Sequence, residues 1–80
     1  MLTKIGPNAV KSSDGYRVEI AKRFELHYED DIGKMVVPIE PMADGELVVS
    51  KSTISEDRRD IIAQRICGAL DVLGIVHRFD

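Results

Sequence analysis

The chain has 80 residues, of which 44% are hydrophobic and 31% are charged, and its formal net charge is −3. This composition is typical of one small folded domain, 1–80, and lies far from that of disordered chains. Nucleic acid is disfavoured as a partner, because Lys and Arg are interleaved with Asp and Glu and form no basic stripe. A basic or cationic protein partner is compatible with the mild acidity.

Hydropathy and cysteine usage favour a cytoplasmic protein. The apolar stretches are too short to cross a membrane, and the N-terminal residues lack the apolar core of a secretory signal. The single cysteine, Cys67, has no partner for an internal disulfide, and no paired spacing indicates zinc.

Turn signals divide the first fifty residues into short segments. The pairs Asp14-Gly15 and Asp44-Gly45 predict tight turns in which each glycine has a positive φ. Between the turns, apolar and polar residues alternate, which predicts an antiparallel β-meander with one buried face. Pro38 has no backbone N–H, so its strand must be interrupted or lie at an edge. The predicted strands are Leu2–Ile5, Ala9–Ser12, Tyr16–Ile20, Phe24–Tyr28, Lys34–Glu40 and Glu46–Ser50.

The period then changes from two to that of a helix. Ser55 is the predicted N-cap and Gly74 the predicted C-terminal stop, which gives a helix of about seventeen residues. A last strand follows at Ile75–Phe79. We therefore predict an α+β fold: an antiparallel β-meander covered on one face by a single C-terminal helix, followed by a last short strand. The apolar stripe that would cover the sheet consists of Ile62, Ile66, Ala69, Leu70 and Leu73.

A second line on the helix contains Ile61, Arg65, Gly68 and Val72. It could be a narrow strip on which a partner approaches the backbone closely at Gly68. Alternatively, Ile61 and Val72 widen the contact with a curved sheet, which is the commoner arrangement in small α+β domains.

Three consecutive carboxylates, Glu29, Asp30 and Asp31, form an acidic turn. The alternating ligands of a calcium loop are absent, so we interpret the segment as a solvated hairpin turn. As a surface, it could meet Lys or Arg on another protein and accelerate encounter.

The two histidines suggest two possible sites, and neither is favoured. His27 could form an acid–base pair with Asp30 or Asp31, but no nucleophile accompanies it, so a solvent-facing role is preferred over a hydrolase or metal enzyme. Cys67 and His77 are the only Cys–His combination, and Cys67 lies in the second half of the helix, where the dipole opposes a thiolate. The sequence therefore predicts no catalytic residue, no cofactor and no metal site.

The order of segments resembles the small bacterial immunity proteins of polymorphic and contact-dependent toxin systems, of the immunity protein seventy-four type. The likeness extends over nearly the whole chain, from GYRVEI through FELHYED, GKMVVPIEP and ELVVSKSTIS to the helix. The family has a Trp before that helix, where this chain has STISED at 52–57. The helix motif is matched by Ile62, Ile66, Ala69, Leu70 and Gly74.

The resemblance implies a non-catalytic protein that binds and occludes a toxin domain. The candidate contact surface combines the acidic turn with the polar face of the sheet. The alternative is a self-associating structural or regulatory domain, such as a homodimer, that uses a strand edge or the line Ile61, Arg65 and Val72. The polar-face residues are Arg17, Glu19, Arg23, Glu25 and His27.

Overall fold

The computed structural model describes all residues from Met1 to Asp80 and confirms the predicted α+β fold. A meander of six strands precedes a 3-10 turn (Lys51–Thr53), one helix and a last strand. The elements are β1 (Leu2–Gly6), β2 (Ala9–Ser12), β3 (Arg17–Lys22), β4 (Glu25–Glu29), β5 (Lys34–Pro41), β6 (Leu47–Val49), α1 (Arg59–Val72) and β7 (His77–Phe79).

The seven strands form one curled sheet in sequential order, β1 to β7. Every neighbouring pair is antiparallel except β6 and β7, which are parallel. Helix α1 connects these two strands, and a crossover of this kind is what returns a chain to the sheet in the same direction. The C-terminal strand therefore joins the sheet through the helix.

Pro38 lies where β5 changes partners. Up to Pro38 the strand pairs with β4, and from Ile39 it pairs with β6. The Ser50 N–H donates to the Pro38 carbonyl at 3.0 Å, and the β5–β6 pairing goes no further. Proline is tolerated because the missing N–H falls at the end of this ladder.

The core lies between the inner face of the sheet and helix α1. The helix contributes four fully buried side chains, Ile62, Ile66, Ala69 and Leu70, as the apolar stripe predicted, while Leu73 is half-buried at the rim. The sheet and the segment before the helix contribute Val10, Val18, Leu26, Tyr28, Val37, Ile39, Leu47, Val49 and Ile54.

The predicted start of the helix is wrong by three residues. Helix α1 begins at Arg59, not after Ser55, and it has 14 residues instead of about seventeen. The Ser55 hydroxyl donates to the Asp57 carboxylate, and no side chain caps the helix. Such local bonds of serine and aspartate compete with helical hydrogen bonding and hold residues 55–58 in turns.

The predicted end of the helix and the predicted turns are confirmed. Gly74 follows the helix with a φ of 74°, and the Ile75 N–H bonds the Leu70 carbonyl at 2.9 Å. Gly15 and Gly45, in the two Asp-Gly turns, have φ values of 90° and 89°. No helix in the structure has both the length and the apolar character needed to cross a membrane.

Candidate functional site

Strand β4 distributes the predicted site residues between the two faces of the sheet. Leu26 and Tyr28 point into the core, whereas His27 and Glu29 between and after them lie on the opposite face. Asp30 follows directly, and its side chain turns back toward the helix side, where only 1% of it is exposed. The acidic turn is thus divided between two environments.

Asp30 is the centre of a partly buried polar network, the Asp30 network, formed by Tyr16, Tyr28, Asp30, Arg58 and Arg65. Its Oδ2 atom accepts hydrogen bonds from Arg58 Nη2 at 2.6 Å and from the Tyr28 hydroxyl at 2.7 Å. Its Oδ1 atom accepts the backbone N–H groups of Ile32 at 2.9 Å and Gly33 at 3.3 Å. The interpretation of the acidic turn as solvated is therefore wrong for Asp30.

Burial and hydrogen bonding act in opposite directions on Asp30. Burial by itself raises the pKa of the carboxyl, but the hydrogen bonds from Arg58, Tyr28 and the two backbone N–H groups outweigh it. The pKa of Asp30 is held well below its ordinary value of 3.8. The carboxylate is therefore charged and fully occupied, and it is not available as a base for His27.

Arg65 completes the network from helix α1. Its Nη1 atom donates to the Tyr28 hydroxyl at 2.8 Å and lies 3.6 Å from Asp30 Oδ2. Its guanidinium lies 4.7 Å from the centre of the Tyr16 ring, which stacks on Tyr28 at 6.2 Å. Burial raises the pKa of Tyr28, so its hydroxyl stays protonated and can donate to Asp30. The network fastens the β4–β5 turn to the helix.

The line on helix α1 is not a continuous strip. Ile61 and Val72 are 45% and 42% exposed at its two ends. Between them, Arg65 is directed into the Asp30 network, and a Cβ atom on Gly68 would lie 3.4 Å from Leu2 Cδ1. At Gly68, therefore, strand β1 of the same chain packs against the helix, and this position is not open to a partner.

Most of the other predicted contact residues lie on the outer face of the sheet, defined here by Arg17, Glu19, His27, Glu29, Lys34 and Val36. This face forms a shallow open depression. His27 lies opposite both Glu19 and Val36 in the strand register. Two exposed ion pairs flank it: Arg17 and Glu19 at 3.5 Å, and Lys34 and Glu29 at 3.4 Å.

Of the remaining three predicted residues, Arg23 and Asp31 lie in exposed turns and Glu25 is the partly buried first residue of β4. Glu25 pairs with Lys22 at 3.6 Å, and the Arg23 guanidinium lies 5.4 Å from the centre of the exposed Phe24 ring. Asp31 is exposed in the β4–β5 turn. They extend the outer face at its two ends.

Three residues of the C-terminal part, Cys67, Asp71 and His77, form a second group that we call the C-terminal cluster. His77 Nε2 lies 3.3 Å from Cys67 Sγ, and Cys67 Sγ lies 4.0 Å from Asp71 Oδ2. One ligand atom from each residue lies within 4.8 Å of the other two. Burial, followed by the charge of Asp71, raises the pKa of the Cys67 thiol, so it is not activated as a nucleophile.

Sequence patterns missed the Asp30 network, and although they singled out Cys67 and His77 as the only Cys–His combination, they did not predict that the two side chains are in contact. The Asp30 network could have been anticipated, because the hydroxyl of a buried tyrosine usually needs a hydrogen-bond partner and Asp30 lies two residues after Tyr28. The contact between Cys67 and His77 depended on the return of β7 beside the helix, which no local pattern specifies. Nothing in the local sequence indicated that Arg58 would bind Asp30. Its position depends on the helix beginning at Arg59, the next residue.

Searches of protein-family models, of curated proteins and of solved structures found no match to this chain.

Proposed function

We propose that this chain is a small binding domain that acts by covering the surface of a folded protein partner with the outer face of its sheet. The observation that carries the proposal is the composition of that face. Val36 is 53% exposed there, lies opposite His27 in the strand register, and shares the face with ion pairs that contain charges of both signs. A surface that combines an exposed apolar side chain with charged residues of both signs is compatible with the composition of a non-obligate protein interface.

The size of the domain is compatible with this role. The molecule measures 34 × 28 × 18 Å, so its two broad faces are the surfaces of the sheet and of the helix layer. A standard interface takes about 800 Å² from each partner. The total accessible surface of the chain is 4976 Å², so an interface of that size would cover about a sixth of it.

The proposed partner is a bacterial toxin domain, as the resemblance to immunity proteins implies. The net charge of −3 favours a partner with a basic surface, and the exposed carboxylates of Glu19, Glu29 and Asp31 are the groups that would meet it. Asp30 is not among them, because its oxygens are occupied within the network. The proposal places the chain in the cytoplasm, where Cys67 stays reduced.

Identification of the neighbouring gene, followed by co-expression with any toxin domain that it encodes, tests the proposal. We expect the chain to protect the cell and to co-purify with the toxin domain. Val36→Glu replaces the exposed apolar side chain of the outer face by a charge and should abolish both effects while leaving the circular dichroism spectrum unchanged. Ile61→Glu, an exposed change on the helix, is the matched control and should retain both.

Two outcomes contradict the proposal. Failure of the unaltered chain to bind or protect would remove the toxin domain as the partner. Loss of binding in Ile61→Glu with retention in Val36→Glu would place the contact on the helix. Self-association has less support, because the line on the helix is interrupted at Arg65 and Gly68; sedimentation at several concentrations would detect it.

A further inference from the structure

We propose that the C-terminal cluster binds one Zn²⁺ ion through Cys67 Sγ, His77 Nε2 and Asp71 Oδ2, with the fourth position open to solvent. This goes beyond the proposed binding function and does not depend on it. A thiolate, an imidazole and a carboxylate are the three ligand types that zinc takes from proteins. No other residues of the chain bring such a set together.

The separation of sulfur and nitrogen already fits a bound ion. Zinc lies about 2.3 Å from sulfur and about 2.0 Å from nitrogen, which in tetrahedral geometry puts these two ligand atoms about 3.5 Å apart. The observed distance between Cys67 Sγ and His77 Nε2 is 3.3 Å. Asp71 Oδ2 is 4.0 Å from the sulfur, and this side chain is 70% exposed, so rotation can bring its oxygen into position.

His77 is held in the orientation that a metal ligand needs. Its Nδ1 atom lies 2.9 Å from the Ile75 carbonyl oxygen, which can only accept a hydrogen bond. The proton of the neutral ring therefore lies on Nδ1, and the lone pair of Nε2 points at Cys67. A ring N–H donated to a backbone carbonyl is the usual support of a metal-binding histidine. The ring is fixed in addition by burial, since only 7% of the side chain is exposed.

The position of the cluster in the fold favours a cation. Cys67 and Asp71 are four residues apart and lie on one side of helix α1, near its C-terminal end. The last turn of the helix contains Asp71 and no basic residue. An acidic side chain at this end is unfavourable beside the negative end of the helix dipole, and a bound divalent cation would compensate both charges.

Zinc binding converts the thiol into a thiolate and releases its proton to solvent. The site has three protein ligands, and two of them, Asp71 and His77, also line a shallow surface depression together with Gly74. A water molecule or a side chain from a partner would complete the tetrahedron there.

Titration of the full reduced chain with Zn²⁺ and with Co²⁺ tests the proposal. We expect one equivalent of each metal to bind, and the cobalt complex to show a thiolate-to-metal charge-transfer band. Cys67→Ser should abolish that band, and Asp71→Asn should weaken zinc binding by about tenfold or more. His27→Gln removes the other histidine, on the outer face, and should leave affinity and spectrum unchanged.

The proposal is overturned if no charge-transfer band forms, if Asp71→Asn binds zinc as tightly as the unaltered chain, or if His27→Gln loses the metal. Should Cys67→Ser fail to fold, Asp71→Asn still decides the matter, because that side chain is exposed and contributes little to packing. Protection of Cys67 from alkylation by added zinc provides a readout on the unaltered protein.

Discussion

Arg58 Nη2 donates a hydrogen bond of 2.6 Å to Asp30 Oδ2 across 28 positions of sequence. Asp30 lies in the turn after β4, and Arg58 is the last residue before helix α1. The bond therefore joins the middle of the sheet to the start of the helix that covers it. The Arg58 side chain is accordingly directed inward, and only 25% of it is exposed.

Asp30→Asn should destabilise the domain by about 2–3 kcal/mol, because the amide keeps the size of the side chain but removes the charge that pairs with Arg58 and Arg65. Urea unfolding at neutral pH measures the change. Asp31→Asn, in the same turn but exposed, is the control and should change stability by less than about 0.5 kcal/mol.

The same carboxylate predicts sensitivity to acid. Because the pKa of Asp30 is lower in the folded chain than its ordinary value of 3.8, its contribution is complete above that pH and is lost as the pH falls below it. Unfolding free energies measured between neutral pH and strong acid should decrease most steeply below about pH 4. Asp30→Asn should flatten this part of the curve, and an unchanged slope would contradict the assignment.

Tyr28→Phe should cost about 1–2 kcal/mol, although the aromatic ring stays in the core. The hydroxyl both donates to Asp30 and accepts from Arg65, so its removal leaves two charged groups with one partner fewer. A double-mutant cycle with Arg65→Met isolates the pair, and we expect a coupling energy above about 0.5 kcal/mol. Additive effects would show that the two residues act separately.

Gly68→Ala should stabilise the domain by about 0.5–1 kcal/mol. Alanine is the better helix former, and its Cβ atom would meet only the mobile methyl group of Leu2, at 3.4 Å. Thermal unfolding checks this. Gly74→Ala is the contrasting change and should destabilise the domain, because φ at Gly74 is 74° and alanine is strained there.

Ser55→Ala should change stability by less than about 0.5 kcal/mol, since Ser55 is exposed and caps no helix in the structure. The sequence-based assignment of Ser55 as N-cap requires a larger loss, of about 1 kcal/mol. Chemical denaturation distinguishes the two values directly.

The sequence predicted what local chemistry determines. Alternation gave the strands, Asp-Gly pairs gave the turns, and the spacing of Ile62, Ile66 and Leu70 gave the covering face of the helix. The start of the helix was missed because a hydrogen bond between Ser55 and Asp57 overrides the general preference for serine at the N-cap. Whether a serine side chain caps a helix or bonds a neighbouring carboxylate cannot be decided from the residue types alone.

The candidate site was predicted only in part, for a related reason. Side chains that alternate outward, such as His27 and Glu29, follow from the period of a strand. Asp30, however, leaves that period at the turn, and its partners come from residues 28 and 35 positions later. Contacts of this range depend on where the helix crosses the sheet, which only the folded chain defines.

The parallel pairing of β6 and β7 has a consequence for the order in which the chain folds. Each earlier hairpin joins neighbouring segments and closes a short loop, so its formation is fast and needs little help from distant residues. Strand β7 can dock only after the helix has been laid across the sheet, and its docking brings His77 to Cys67. We expect the C-terminal strand to be the last element to assemble during folding. A metal ion bound between helix α1 and strand β7 would stabilise the docked position of this strand and slow its detachment.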